Sequence, residues 1–375
     1  MAHYKMSDVA VEVNDRENNP ANSQYERFVG LEHYVSGEVI IRNYGSTQNL
    51  ESTMKIFQSG DVLVARRNVY LKRAATVDFD GLTSGDSIVL RAKNPVIGRI
   101  LPFVLNTDAF WDFADQYSDG TMSKRLSPKT LMTYEFDLPN EDELESFADL
   151  LWAANDARES YQELLRQTDE LVKSQFIELF GDIPVEDYKS LSEVCKIITD
   201  GTHQPPKFVD KGIPFLLVSN ITGNIITYDT PKYITQETYD ILMKRTPIEI
   251  GDILLSTVGS YGHPAIVKDN TPFSFQRHIA YLKPDVSKIN SVYLHTAILS
   301  EDVQNQIEVL VLGVAQKTLN LSAIRGIKIP VPSLERQLSF NTLVEQTDKS
   351  KFEIKKAIEN TSALIKSLMQ QDLST

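Results

Sequence analysis

The run Arg66-Arg67-Asn68-Val-Tyr70-Leu-Lys72-Arg73 is the densest basic cluster of the chain, and it mixes cations with an amide and a phenol. The chemistry open to such groups is non-covalent. A guanidinium spans two acceptors on a guanine edge, an asparagine amide pairs with an adenine edge, and a lysine suits phosphate. The alternative is a solvated basic turn after a strand. A second set carries little charge: Ser256-Thr-Val-Gly259-Ser260-Tyr261-Gly262-His263. Its glycines and hydroxyls allow close backbone approach to a phosphate or base edge, or form an ordinary hairpin turn. Gln276, Arg277 and His278 stand just before a strand and either reach bases or cap it. His203, Gln204 and Lys207 lie in a proline-rich loop. Lys124 and Lys317, with Gln316 beside the second, follow Gly120 and Gly313. They would clamp phosphate at two like places, or are surface lysines on a shared scaffold.

Other chemistries find little support. His3, His33 and His295 show no ligand spacing, so no metal site is expected. Cys195 is the single cysteine, which excludes an intrachain disulfide and a four-cysteine zinc site. It is expected as a small core hydrophobe in a reducing cytoplasm. The paired carboxylates of Glu141–Glu145 look like a helix start, not a catalytic pair. No apolar run approaches the roughly 20 residues that span a bilayer, and the N-terminus lacks the apolar core of a signal peptide.

The elements that would hold these residues repeat. Residues 120–180 align without a gap on 313–373, about 193 positions on. Gly120 meets Gly313, Lys124 meets Lys317, Pro139 meets Pro332 and Phe147 meets Phe340. A repeat this long implies a molecule with two similar ends. Residues 140–181 read as one long helix, with Asn140 as N-cap and Glu143 completing a capping box. Phe147, Ala154, Tyr161 and Thr168 form one apolar or small line, and Leu150, Ala157, Leu164 and Leu171 another. Residues 333–375 repeat the pattern through Phe340, Thr347 and Ile354, with Leu343 and Leu364 on the second line. Phe147, Tyr161, Phe340 and Ile354 are expected in the core. Each helix would be about 60 Å long and needs a partner, best supplied by the other copy running antiparallel.

Residues 1–139 and 182–332 have a different texture, with short β-branched runs broken by Gly, Pro, Asn and Asp. The expected fold is α/β (α+β): two mixed globular domains, 1–139 and 182–332, separated by helices 140–181 and 333–375. The helices form an antiparallel coiled coil, and the whole carries a pseudo-two-fold repeat. Between the two domains the sequence repeat is weak, beyond Gly60-Asp61-Val62-Leu63 against Gly251-Asp252-Ile253-Leu254 and Tyr70 against Tyr261. The net charge of −13 argues at first against nucleic acid, but its distribution changes that. Residues 141–182 alone carry a net of −9, so the two domains are near neutral and either can present a basic face. The acidic helix is expected to face solvent or a partner protein.

At this point the chain resembles the specificity subunit of type I restriction–modification systems. The resemblance covers essentially all of it, through the alternation of domain and helix and three local phrases. These are Ile329-Pro-Val-Pro-Ser-Leu-Glu-Arg-Gln337; Asp200-Gly-Thr-His-Gln-Pro-Pro-Lys207 with Gly212-Ile-Pro-Phe-Leu216; and Gly60-Asp-Val-Leu-Val-Ala-Arg-Arg-Asn68. Phe136-Asp-Leu-Pro-Asn140 departs from the pattern by lacking the closing Glu-x-Gln.

The resemblance implies a non-catalytic reader of double-stranded DNA, each domain a target-recognition domain for one half of a gapped sequence. It implies two copies of a modification (methyltransferase) subunit on the helices, with restriction subunits joining. No cofactor is expected on this chain, since S-adenosylmethionine would bind the methyltransferase partner. In keeping with this, Gln204-Pro205-Pro206-Lys207 lacks the end residues of a base-positioning Asn/Asp-Pro-Pro-aromatic motif. The rival readings are a coiled-coil adaptor without DNA binding and a stand-alone DNA-modifying enzyme.

Overall fold

The computed structural model describes residues 1–120, 123–313 and 317–370. They form two compact units: Met1–Gln162 with the chain from Lys355 onward, and Glu163–Ile354. Each unit contains one globular domain and part of both long helices.

In the first unit, β1 (Ala2–Lys5), a short helix and β2 (Ala10–Val13) lead to β3 (Val62–Ala65), β4 (Ala74–Thr76), β5 (Ser87–Ala92) and β6 (Glu135–Leu138). Strand β1 pairs antiparallel with β6, Ala2 opposite Leu138. The central sheet has the order β2-β5-β3-β4, with Val89 opposite both Val13 and Leu63. Its strands are continuous apolar runs because both faces are covered. Val62, Val64, Ile88 and Leu90 enter one core, lined by helices Pro95–Val104 and Asp108–Tyr117. The alternate residues Leu63, Ala65 and Val89 enter a second core with Phe57 and Phe79.

The second unit has the same plan. Strand β7 (Tyr188–Ser190), a short helix and β8 (Cys195–Asp200) precede β9 (Ile253–Ser256), β10 (Pro264–Ile266), β11 (Ile279–Pro284) and β12 (Lys328–Pro330). Its central sheet is ordered β8-β11-β9-β10, and β7 pairs with β12. Ile253, Leu255, Ala280 and Leu282 face one core, while Leu254, Ile279 and Tyr281 face the other. The repeat that is weak as sequence is therefore complete in the strand order of these sheets, while a further sheet differs, with five strands in the first unit and three in the second. Strand order depends on which positions are apolar, and identity does not measure that.

One sequence match between the domains now has a physical cause. Gly60 and Gly251 both have left-handed φ, +87° and +92°. The next residue is a buried aspartate in each case. Asp61 Oδ2 accepts from the Gln58 backbone N–H, and Asp252 Oδ2 accepts from that of Glu249, both at 2.8 Å. Asp61 also takes two bonds from Arg91, at 2.8 Å each. Asp252 takes one from the Tyr281 hydroxyl at 2.7 Å and one from Lys283. Burial pushes the Asp252 carboxyl above its ordinary value, against the pull of the Tyr281 bond. The Gly-Asp pair is thus the corner that launches the central strand of each sheet.

The long helices are α1 (Leu144–Phe180) and α2 (Leu334–Gln370). The expected capping box at Asn140 is replaced by another contact, since its side-chain oxygen accepts from the Met1 ammonium at 2.9 Å. In the second unit the helices run antiparallel. Lys351 pairs with Asp169 at 2.5 Å, and Phe340 packs edge-on against Phe176 and Phe180. In the first unit Leu144, Ala148 and Leu151 are core, with Ile365 and Leu368 packed against the same cluster.

Phe340 and Ile354 are buried as expected, and Phe147 is half-buried. Tyr161 is a correction: it is 36% exposed. So is the second apolar line, with Leu150, Leu164 and Leu171 all 45% exposed or more. A helix in a two-helix pair covers only one stripe, and the positions nearest the domains take it. Among the described residues, no helix is long and apolar enough to cross a membrane.

Candidate nucleic-acid interface

The β3–β4 connection of the first unit carries Arg66 to Arg73. Asn68 and Lys72 both adopt left-handed φ, +54° and +48°, on either side of a tight turn at Val69–Leu71. Left-handed lysine costs on the order of 1 kcal/mol, so the turn is held by its surroundings. The turn pushes Tyr70 out to 67% exposure.

The cations around Tyr70 are engaged. Arg67 reaches Asp86 at 3.3 Å, and Lys72 reaches Asp108 at 3.0 Å. Arg66 donates from Nε to the Leu126 carbonyl at 3.2 Å, and burial, then nearby Arg125, lowers its guanidinium from its ordinary value. Arg73 bonds the Leu31 and Arg67 carbonyls, which braces the loop. Asn68 accepts from Ser123 Oγ at 3.0 Å. Lys124 pairs with Asp115 at 2.6 Å.

In the second unit three separate sequence stretches meet at one end of the sheet. Thr202 bridges to Gln276, and the Thr257 N–H donates to the His278 carbonyl at 3.0 Å. This joins the loop of His203, Gln204 and Lys207 to the turn at Gln276–His278 and to the β9–β10 connection. Gly201 makes the approach possible, because a Cβ there would lie 2.3 Å from the Phe275 carbonyl oxygen. His203 Nε2 lies 2.8 Å from Asp200 Oδ2, and Arg245 holds the other oxygen of that carboxylate. Gln204 and Lys207 are exposed, as are Ser260 and Arg277. Arg277 Nε donates to His278 Nε2 at 3.2 Å, and burial, then Arg277, lowers the imidazole below its ordinary value. Tyr261 donates to Glu308 at 2.8 Å, and Lys317 sits between the two. Gln316 lies outside the described residues.

The two loops share one backbone frame. The Asn68 N–H donates to the Lys124 carbonyl, and the Gly259 N–H to that of Lys317. The Leu126 N–H donates to the Arg66 carbonyl, and that of Leu319 to Thr257. Gly120 and Gly313, with φ of +92° and +104°, stand before the returning segments. On this common frame the side chains differ: Arg66-Arg67-Asn68 faces Thr257-Val258-Gly259. Sequence reasoning missed Arg125, which pairs with Asp86 at 2.6 Å, and the two acids Asp115 and Glu308. Nothing marked Arg125, whose counterpart is Thr318. The acids were findable, since they stand at equivalent places of the gap-free register extended upstream.

Cys195 is packed at the edge of the second core, and burial pushes its thiol up to about 12. That removes thiolate chemistry near neutral pH.

Comparison with known proteins follows the same outline. A sequence model described as the type I restriction modification DNA specificity domain matches residues 185–361. The chain is 29% identical over 174 residues to the type I restriction enzyme EcoBI specificity subunit of Escherichia coli, which spans 46% of this chain and 36% of that protein. It is 22% identical over 306 residues to the MjaVIII specificity subunit of Methanocaldococcus jannaschii, spanning 74% and 71%. The fold is similar to a crystal structure of a type I restriction–modification S subunit from M. genitalium. The TM-score is 0.55 at 14% identity, over 98% of this chain and 95% of that one. A chain from a structural study of complex assembly in the type I R-M system gives the same TM-score at 19% identity, over 99% and 98%.

Proposed function

We propose that the chain, whose residues 185–361 match the type I restriction modification DNA specificity domain, is a specificity subunit that reads a gapped DNA sequence, one half with each globular domain. The observation that carries the proposal is the shared loop frame at the end of each central sheet, bearing different side chains. A common frame suits a common backbone ligand, and different side chains suit different bases. The first unit offers guanidinium, amide and phenol groups, the second hydroxyl, imidazole and guanidinium groups. In this role the candidate residues divide. Tyr70, Arg67, Asn68, Ser260, Arg277 and Gln276 are the base-facing set, and Lys72, Lys124, Lys207 and Lys317 the phosphate-facing set.

The chain acts without catalysis of its own. Two copies of a modification subunit dock on the long helices and bring S-adenosylmethionine, and restriction subunits join that assembly in the cytoplasm. The exposed Leu164 and Leu171 on an acidic helix support docking there, since an apolar line left open on a paired helix suits a protein partner.

The test is methylation mapping of a host genome with and without the chain. The expected result is a gapped motif that appears only with it. Exchange of residues 1–139 for those of a relative should change one half of the motif, and exchange of 182–332 the other. A motif whose two halves change together, or do not change, would overturn the reading.

A further inference from the structure

One arrangement of charge is repeated where the surrounding side chains are not. Lys124 donates to Asp115 Oδ2 at 2.6 Å and to the Asp115 carbonyl at 2.9 Å. Lys317 lies 3.3 Å from Glu308 Oε2 and 3.1 Å from the Tyr261 hydroxyl. Each acid precedes its lysine by nine residues and sits on a ten-residue helix, Asp108–Tyr117 or Glu301–Leu310. A left-handed glycine, Gly120 or Gly313, intervenes. Both pairs are exposed, at 35% and 53% for the first and 54% and 58% for the second.

Exposed pairs of this kind contribute about 0–1 kcal/mol, too little to explain their repetition as a stabilising feature. Each lysine is also tied by its backbone carbonyl to the neighbouring loop, at Asn68 or Gly259. Its main chain is therefore fixed beside the base-facing residues, and only its side chain can change partner. A shared requirement on two faces that otherwise differ points to a ligand group present at both. In duplex DNA that group is the phosphodiester.

We propose that Asp115 and Glu308 are carboxylate gates, each holding its lysine in the free chain at the place a DNA phosphate takes over when that domain engages its half-site. The proposal rests on the DNA-reading role above. The gates cancel one cation on each face, which lowers attraction to arbitrary DNA. A domain in register supplies a phosphate at the fixed position, and the lysine exchanges one anion for another. In the second domain the exchange also frees Tyr261, whose hydroxyl the same carboxylate holds. Its counterpart Tyr70 is already exposed, so the two domains differ in what must be released.

The test is a double-mutant cycle on the full chain with a fluorescent duplex of arbitrary sequence, titrated between 50 and 200 mM salt. Asp115→Asn and Glu308→Gln should each raise affinity about threefold at low salt, and in these open-gate backgrounds Lys124→Gln and Lys317→Gln should each reduce the slope of log affinity against log salt by about 0.9. In the Lys→Gln backgrounds, removal of the acid should have no effect, because the gate acts through the lysine. An equal rise in both backgrounds would show long-range charge alone and overturn the gate. A salt slope left unchanged by the lysine replacement in the open-gate backgrounds would overturn the phosphate contact, while leaving DNA reading in place. Absence of any duplex binding by the unsubstituted chain would remove both. All four side chains are exposed and the replacements are close in size, so thermal unfolding should stay at the unsubstituted midpoint.

Discussion

At the residue scale, the groups that matter divide by what holds them. Asp61 and Asp252 are buried and fully engaged, and they belong to the frame. Asp61→Ala would leave Arg91 and the Gln58 N–H without their acceptor. It should destabilise the first unit by about 2–4 kcal/mol in denaturant unfolding. A loss below about 0.5 kcal/mol would mean that the corner contributes little. Arg67, Tyr70 and Arg277 are exposed, so replacing them should alter DNA binding and leave unfolding nearly unchanged. The split was partly legible beforehand. In sequence, the Gly-Asp pair was one of the few matches between two diverged domains, with no role attached. Only the hydrogen bonds of Asp61 and Asp252 revealed a strand corner.

At the element scale, the end of α2 is tied to the first domain by Lys366, which donates to Asp108 at 2.7 Å. Lys72 donates to the same carboxylate. The bonds from Lys366 and then Lys72 hold the Asp108 carboxyl down at about 2, below its ordinary 3.8. A depressed carboxylate contributes stability above its unfolded value, and that contribution is lost as pH falls through the folded one. Asp108→Asn should therefore lower the unfolding midpoint by about 2 °C near pH 6, a small effect because the group is half exposed. The difference between the two proteins should shrink between pH 3.8 and about 2 and vanish below. A difference that persists at pH 1.5 would assign the effect to something other than charge. The helices themselves follow from the periodicity in sequence. Which stripe is buried does not, since 3.6 residues per turn leave two neighbouring lines, and tertiary packing takes Leu144, Ala148 and Leu151 over Leu150 and Leu164.

At the scale of the whole molecule, the two compact units divide α1 between Gln162 and Glu163 and α2 between Ile354 and Lys355. These places agree to within one residue in the repeat, and insertion there leaves both domain cores intact. Four residues added to each helix at these points lengthen it by about 6 Å, close to two base steps of about 3.4 Å. If helix length sets the gap in the DNA target, methylation mapping should return the same two half-sites with a wider spacer. The same spacer with unchanged halves would show that the helices do not measure it.

The sequence by itself determined the two long helices, the repeat that joins them and the sites where polar groups concentrate. Those features rest on local periodicity, composition and spacing, which one chain displays directly. Only the tertiary structure decided which groups meet. The turn at Gln276–His278, the loop after Gly201 and the β9–β10 connection converge because they enter or leave three strands of one sheet at the same end. The same structure paired Lys124 with Asp115 and Lys317 with Glu308, turning two candidate phosphate clamps into lysines already held by carboxylates. Spacing along a chain places residues on elements, but an ion pair between a helix and the segment returning past it depends on how the turn between them folds.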